Sequence, residues 1–206
     1  MTVAIIDIRM GNIGSIVNMV KYLGQNAEIL SCPSTLDSYE KIILPGVGHF
    51  AEAMKRLTLN GWVPSLEKAR NDDASILGIC LGMQVMTRFS EEGNCEGLGW
   101  FDLNTKRFPV RSTDCENIRV PHMGWNNVVF KEGLKPFSFI DYQRYYFVHS
   151  YFVDGVNSDD CYGITDYQGI SFASAIIKKK IIGVQFHPEK SHRCGKILFQ
   201  KFLNLE

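Results

Sequence analysis

The chain has 206 residues, which is enough for one α/β domain with a full hydrophobic core. Its 22 basic and 22 acidic side chains balance, and this argues against nucleic acid or an anionic membrane surface as the main partner, because both attract basic proteins. The apolar runs are only strand-sized, and the first residues lack the regions of a signal peptide. We therefore expect a cytoplasmic protein that does not bind membranes.

The cysteines are scattered along the chain without any C-x-x-C pair. They are Cys32, Cys80, Cys95, Cys115, Cys161 and Cys194. This spacing matches neither a zinc site nor a disulfide framework, and it is typical of a protein in a reducing compartment. We expect no metal site.

The first half of the chain alternates between apolar runs and amphipathic segments. Buried strands are predicted over residues 3–7, 27–30, 41–45 and 74–80. Helices are predicted over residues 12–24, over 49–69 with a break at Gly61, and over 82–92. Such a β-α-β-α alternation predicts a mainly parallel central sheet with helices on both faces.

The second half has a different texture, with short strand-like segments separated by turns. These segments cover residues 125–130, 145–153, 161–167 and 171–186, and they predict additional antiparallel β-structure. A last amphipathic helix is predicted over residues 195–205. Because no linker rich in Pro, Gly or Ser interrupts the chain, we expect a single domain over residues 1–206.

A cysteine flanked by two glycines marks the junction between the fourth strand and the next helix. In Gly78-Ile79-Cys80-Leu81-Gly82, Cys80 has two interpretations. It is either a small buried hydrophobe or a nucleophile at a sharp turn, as in the G-x-S-x-G elbow. A thiolate there would face the positive end of the helix, which favours the charged form, and the Leu81 N–H would point towards an oxyanion.

A cysteine nucleophile needs a base and a group that orients the base. His187 is one of five histidines, and it follows an apolar run at the sheet edge where α/β sites collect. Glu189 is close enough in sequence to accept a hydrogen bond from its imidazole. A surface His-Pro-Glu turn is the more common explanation of this segment alone, but its combination with a cysteine elbow is rarer.

The loop Pro45-Gly46-Val47-Gly48 ends the third strand. Its backbone N–H groups could bind an anion, and its two glycines would let the Val47 peptide flip. An ordinary Gly/Pro turn is the alternative. A phosphate loop is disfavoured because no Lys-Ser/Thr pair follows, as it does in a Walker A loop.

Taken together, the stretches PGVGHF, GICLGMQ and GVQFHPE resemble the three motifs of class I (triad) glutamine amidotransferases, in the order found in that family. VPHMGWN, YYFVHSY and FHPEKS are similar to those of one subfamily, the glutaminase subunit of imidazole glycerol phosphate synthase. The resemblance runs nearly end to end. It implies a flavodoxin-like α/β fold and no cofactor.

The resemblance also implies roles for individual residues. Cys80 would attack the side-chain amide of L-glutamine, His187 would transfer protons, and Glu189 would orient His187. The N–H groups of Leu81 and of the 45–48 loop, represented by Val47, would form the oxyanion hole. Residues implied to hold the glutamine are Gly48, Gln84, Ser150 and Tyr151.

The family passes its ammonia to a β/α-barrel cyclase subunit in a heterodimer, which makes imidazole glycerol phosphate and AICAR in histidine biosynthesis. A docked partner makes physical sense, because ammonia in bulk water becomes ammonium, which has no lone pair. Asn12 and Lys190 are implied to face that partner.

One loop departs from the subfamily pattern D-Y-G-x-G-N, because residues 7–12 carry Ile8 and Arg9 at its second and third positions. This leaves a second acceptor open, namely an amidino-sugar of surface polysaccharides, supplied by a paralogous glutaminase. A binding subunit without catalysis is a further alternative, against which the complete set of Cys80, His187 and Glu189 argues.

Overall fold

The computed structural model describes residues 1–111, 117–131 and 143–205. The strands are β1 (Thr2–Ile6), β2 (Asn26–Leu30), β3 (Lys41–Gly46), β4 (Ser75–Cys80), β5 (Thr87–Ser90), β6 (Cys95–Glu96), β7 (Phe101–Arg107), β8 (His122–Phe130), β9 (Gln143–His149), β10 (Tyr151–Asp154), β11 (Cys161–Tyr167), β12 (Ile170–Lys178) and β13 (Ile181–Val184). The helices are α1 (Ile13–Tyr22), α2 (Phe50–Leu59), α3 (Trp62–Asn71), α4 (Leu81–Gln84) and α5 (His192–Leu203), and 3₁₀ turns cover Pro33–Ser38 and Pro188–Lys190.

The centre of the fold is a parallel sheet in the order β2-β1-β3-β4-β13. Every residue of β3 and β4 is buried, as expected for strands covered on both faces. The predicted α/β class with a parallel centre is confirmed. The carboxyl ends of β1, β3, β4 and β13 meet at one edge, which we call the C-terminal edge.

Helices cover both faces of this sheet. On one face α1 and α5 pack into a cluster that includes Val20 and Phe199. On the other face α2 and α3 contribute Leu57 and Trp62 to a second cluster. Burial of these two apolar layers on either side of the parallel strands keeps the C-terminal edge at a fixed position.

The antiparallel structure predicted for the second half is also confirmed. From β13 the sheet continues through β12, β10 and β7, and β11 joins β12 to the β8–β9 pair. The apolar run over 171–186 is divided at Lys179, where the chain turns from β12 into β13. This turn makes β13 parallel to β4, with Val184 opposite Ile79.

The helix predicted over residues 82–92 is wrong. Helix α4 ends at Gln84, and Thr87–Ser90 forms β5, which pairs with both β6 and β7. The Thr87 hydroxyl donates to the Gln84 carbonyl oxygen at 2.7 Å. The side chain of this β-branched residue thus uses a carbonyl oxygen at the end of α4 that a longer helix would bond through its backbone. Two strand partners outweigh the helical periodicity of this segment. Helix α5 also begins earlier than predicted, at His192.

The five cysteines within the described residues are free thiols, and Cys115 lies outside that part of the chain. Across 1–111, 117–131 and 143–205, helices that are long and apolar enough to cross a bilayer are absent.

Candidate active site

Cys80 lies at a sharp turn between β4 and α4. Its φ of 54° and ψ of −107° are unusual for a residue with a side chain, and such strain is typical of functional sites. A Cβ added at Gly82 would lie 1.8 Å from the Leu44 carbonyl oxygen, and one at Gly78 would lie 2.6 Å from the Gly82 carbonyl oxygen. The two glycines therefore allow backbone contacts that no other residue would permit.

His187 and Glu189 follow β13, the neighbour of β4, and so reach the same C-terminal edge. The His187 amide donates to the Tyr146 carbonyl oxygen at 2.8 Å, which ties this turn to β9. The His187 Nδ1 atom donates to Glu189 Oε1 at 2.7 Å, and the two side chains are only 3% and 4% exposed. This bond fixes the imidazole tautomer and leaves Nε2 for chemistry.

His187 holds a proton firmly. Burial alone would lower its pKa, but the interactions of His187 with Cys80 and with the Glu189 carboxylate outweigh burial and raise the pKa to about 9. Its Nε2 atom is buried and makes no hydrogen bond within the described residues. The raised pKa favours transfer of the Cys80 thiol proton to Nε2, which leaves the imidazole protonated on both nitrogens.

A cleft of about 250 Å³ opens beside Cys80. Its volume is small for a ligand site and fits a molecule of amino-acid size. The structure brings the four residues predicted to hold glutamine into the lining of this cleft, together with Val47 and Leu81. These four are Gly48, Gln84, Ser150 and Tyr151.

Gln84 lines the cleft and is held by two hydrogen bonds. Its Nε2 donates to the Tyr151 carbonyl oxygen at 2.9 Å and to Gln185 Oε1 at 3.0 Å. Because the amide nitrogen is used within the protein, Gln84 offers a ligand its oxygen, which is an acceptor.

A larger cleft of about 850 Å³ lies at the opposite end of the sheet, around Lys41 and Ser75. Neither a cysteine nor a histidine lines it. Among the described residues, Cys80 and its neighbour His187 lie at the smaller cleft. The reactive side chains, rather than the size of the cleft, therefore identify the candidate active site.

The loop around Val47 has a defined backbone arrangement. The Val47 amide donates to the Met10 carbonyl oxygen at 3.2 Å. In this arrangement the N–H predicted as an oxyanion donor is already occupied. Gly48 has a φ of 124°, which glycine alone adopts readily, so the loop has the freedom to rearrange.

Residues 7–12 keep a compact loop although Arg9 replaces the usual glycine. Arg9 has a φ of 58°, and its amide donates to Asp7 Oδ1 at 2.7 Å. Arg56 Nη1 donates to the carbonyl oxygens of Ile8 and Arg9 at 3.1 and 2.9 Å. These contacts hold the left-handed residue in place.

The two residues predicted to face a partner are both exposed. Asn12 precedes α1, and Lys190 lies at the end of the triad turn with its Nζ 5.8 Å from the centre of the Tyr146 ring. Both belong to loops that leave the C-terminal edge.

Sequence reasoning missed a buried pair of histidines, His122 and His149, the second of which lines the cleft. His122 Nδ1 lies 2.9 Å from His149 Nε2, and His149 Nδ1 donates to the Tyr151 carbonyl oxygen at 2.8 Å. Burial lowers the pKa of His122 to about 4, and burial and the neighbouring His122 hold the pKa of His149 well below its usual value. Both rings are therefore neutral near pH 7.

Sequence reasoning also missed Gln185, which is fully buried next to Cys80. The sequence did contain a sign of its importance. Gln185 is the one residue with a polar side chain in the apolar run Ile181–Phe186. A polar side chain there must find partners inside the fold.

Comparison with known proteins agrees with this geometry. The family model "Glutamine amidotransferase class-I" matches residues 4–205. This chain belongs to the class I glutamine amidotransferases, a family of enzymes.

Relatives within the family are similar over their whole length. The chain is 42% identical over 204 residues to imidazole glycerol phosphate synthase subunit HisH 2 of Methanococcus maripaludis, covering 98% of each chain. It is 40% identical over 205 residues to subunit HisH 2 of Pseudomonas aeruginosa, covering 98% of this chain and 99% of that one. It is 41% identical over 209 residues to subunit HisH of Sulfurimonas denitrificans, covering 99% and 100%.

Solved structures share the fold at lower identity. PurLQS from Thermotoga maritima matches 98% of this chain and 97% of its own with a TM-score of 0.76 and 17% identity. A crystal structure of a glutamine amidotransferase matches 98% of both chains with a TM-score of 0.75 and 16% identity.

Proposed function

We propose that this chain is the glutaminase subunit of an imidazole glycerol phosphate synthase and hydrolyses L-glutamine to glutamate and ammonia. The observation that carries the proposal is the strained Cys80 elbow beside the buried His187–Glu189 pair, at a cleft of amino-acid size. The similarity to HisH subunits supports the choice of substrate and pathway.

In the first half-reaction, Cys80 gives its thiol proton to His187 Nε2, and the sulfur attacks the side-chain amide carbon of glutamine. The C=O electron pair moves onto oxygen, where the Leu81 N–H stabilises it. When the intermediate collapses, the C–N bond breaks, and His187 returns its proton to the leaving nitrogen. The products are ammonia and a glutamyl thioester.

In the second half-reaction, His187 takes a proton from water, which attacks the thioester carbon. The C–S bond then breaks, and the sulfur leaves as a thiolate that recovers the proton from His187. Glu189 does not exchange protons in this scheme. It keeps Nδ1 protonated and so presents Nε2 to the sulfur and to the water.

Substrate recognition would rely on acceptors for the α-ammonium group and donors for the α-carboxylate. We expect the Gln84 side-chain oxygen to be one such acceptor, because Gln84 lines the cleft and its nitrogen is bonded within the protein. Gly48, Ser150 and Tyr151 also line the cleft. In this proposal the side-chain amide of the bound glutamine lies against Cys80, which lines the same cleft.

The ammonia would pass to a β/α-barrel cyclase subunit docked on the C-terminal edge. Large apolar side chains are exposed there or nearby, with Met123 at 61%, Val47 at 46% and Trp125 at 39%, which is typical of a protein interface. The flat ring of Trp125 is stacked on His192, so it is pre-positioned for a partner.

Docking would also control the oxyanion hole. The loop over residues 7–12 faces the partner in this proposal, and its Met10 carbonyl oxygen holds the Val47 amide. A partner that moves this loop would release the N–H for the oxyanion. Because one such donor contributes roughly 10²–10³ in turnover, we expect the isolated chain to be slow and the complex to be fast.

The test is to measure ammonia release from glutamine by the isolated chain, by the chain with the cyclase barrel, and by matched variants. We expect activation by the barrel and loss of activity in Cys80→Ala, whereas Cys95→Ala, which changes a thiol elsewhere, keeps activity. The Cys80→Ala complex should still form product from ammonium salts at alkaline pH.

Two results would overturn the assignment. Retained glutamine hydrolysis in Cys80→Ala would remove the nucleophile. If only an amidino-sugar acceptor received the ammonia, and the histidine-pathway intermediate did not, the polysaccharide function would replace the histidine function.

A further inference from the structure

Gln185 is a fully buried amide within the stretch GVQFHPE, but neither the sequence analysis nor the proposed mechanism assigns it a role. It follows β13, and because Val184 lies opposite Ile79 in the parallel register, Gln185 comes next to Cys80. Its Nε2 atom lies 3.7 Å from Cys80 Sγ, within hydrogen-bond range for sulfur. Its backbone amide donates to the Ser174 carbonyl oxygen at 2.9 Å, which fixes the position of the main chain.

The direction of this contact is determined by a chain of hydrogen bonds. It begins at the Tyr151 carbonyl oxygen, which can only accept and receives bonds from His149 Nδ1 and Gln84 Nε2. The Gln84 amide must therefore point its nitrogen at Tyr151. The same nitrogen lies 3.0 Å from the side chain of Gln185, whose atom at that place must be the oxygen.

The opposite orientation of Gln185 would place two NH₂ groups against each other at 3.0 Å, and a buried pair of facing donors is costly. The nitrogen of Gln185 is thus directed at the sulfur. An amide N–H is a donor only, so the bond stabilises sulfur when it is negatively charged.

We propose that Gln185 is a further catalytic residue, which donates a hydrogen bond to the Cys80 thiolate, and that Gln84 and His149 position it through the Tyr151 carbonyl oxygen. The proposal deepens the proposed glutaminase function and rests on it. Sulfur is charged twice in the cycle, before it attacks the amide carbon and after the thioester C–S bond breaks. In the thioester the sulfur is neutral, and the hydrogen bond from Gln185 to it weakens.

The expected effect follows from the charge of the acceptor. A hydrogen bond to a charged group is stronger than one between neutral groups, and sulfur is a weak acceptor. Loss of the donor should therefore lower the thiolate population about tenfold, which moves the pH midpoint of sulfur reactivity up by about one unit.

The experiment measures alkylation of Cys80 by iodoacetamide as a function of pH, followed by mass spectrometry of the peptide that carries Cys80. This separates Cys80 from the other thiols. Because glutamine is not involved, the readout reports on the sulfur even if the chain turned out not to hydrolyse glutamine. Ammonia release from glutamine, measured in parallel, tests the proposed function separately.

Four variants form a graded series. Gln185→Met keeps the length of the side chain but cannot donate, Gln185→Glu places a carboxylate next to the sulfur, and Gln84→Met removes the group that orients Gln185. Ser75→Ala is the control, because it removes a buried hydrogen bond to Lys41 at the opposite end of the sheet. A general loss of packing would affect it as well.

We expect the midpoint to rise by about one pH unit in Gln185→Met, further in Gln185→Glu, and less in Gln84→Met, with Ser75→Ala like the wild type. Alkylation at low pH should fall about tenfold in Gln185→Met. The same midpoint in Gln185→Met and wild type would overturn the proposal, and so would an equal rise in Ser75→Ala. If Gln185→Met does not fold, an unshifted midpoint in Gln185→Glu has the same consequence.

Discussion

Two groups of buried histidines lie near the cleft and hold protons in opposite ways. His187 is paired with a carboxylate and has a pKa raised to about 9, whereas His122 is paired with a neutral ring and has a pKa lowered to about 4. Burial acts in the same direction on both. The comparison teaches that the partner of a buried imidazole, rather than its burial, decides whether it carries protons or only fixes hydrogen bonds.

The strongest way to break this comparison is to replace His187. We expect His187→Asn to lower kcat/KM for glutamine by about 10²–10⁴, because the base moves protons in both half-reactions. The matched variant His122→Asn removes an equally buried imidazole and should cost far less. The measurement is ammonia release by the complex with the cyclase barrel, and an equal loss in the two variants would refute the assigned roles.

Replacing the partner of His187 should make it more like His122. In Glu189→Gln the carboxylate is lost while burial remains, so the pKa of His187 should fall. Because the pair is a charge-assisted hydrogen bond, we expect a loss of about 10–100-fold in turnover, smaller than that of His187→Asn. The dependence of turnover on pH checks this. A profile with the same midpoints in Glu189→Gln and wild type would contradict the predicted fall in the pKa of His187.

The low pKa of His122 in the neutral His122–His149 pair should make the free energy of unfolding depend on pH. Unfolded His122 binds a proton near its usual pKa of 6.5, but the folded residue does so only at about 4. Protons therefore favour the unfolded chain, and stability is lost as pH falls from 6.5 towards 4. His187, with a raised pKa, has the opposite sign, and its contribution is lost as pH rises through about 9.

Urea unfolding at pH 7 and at pH 5 tests the acid side. We expect the difference in unfolding free energy between the two pH values to be smaller in His122→Phe than in the wild type, because one titrating group is gone. The exposed His49 provides the control variant His49→Gln, which should keep the wild-type difference. An unchanged difference in His122→Phe would show that the pair does not titrate in this way.

The smallest effect is expected at Asn126, whose side chain contacts His122 of the His122–His149 pair. Asn126 Nδ2 lies 3.3 Å from His122 Nε2 and donates to the Asp166 carbonyl oxygen at 2.8 Å. Asn126→Ala should lower the free energy of unfolding by about 1 kcal/mol, because the acceptors are neutral. In the control Asn18→Ala, on the exposed face of α1, the change should stay within about 0.5 kcal/mol.

The parts of this site that sequence predicts are those with local signatures. The glycines on both sides of Cys80 predicted a sharp turn, and the spacing between His187 and Glu189 predicted their pairing. The helix predicted after Cys80 failed because Thr87–Ser90 gains strand partners far away in sequence. The contacts of Gln185 and of the His122–His149 pair were likewise out of reach, since they depend on the register of strands that approach only in the fold.

The most direct test of this account is ¹⁵N NMR of the imidazole groups in the intact chain, with resonances assigned by comparing the wild type with His187→Asn and His122→Phe. At pH 7.5 we expect His187 to carry protons on both nitrogens and to titrate near pH 9, while His122 and His149 remain neutral down to pH 5. A neutral His187 at pH 7.5, or a His122 that titrates near 6.5, would contradict the separation of roles between the two histidine groups.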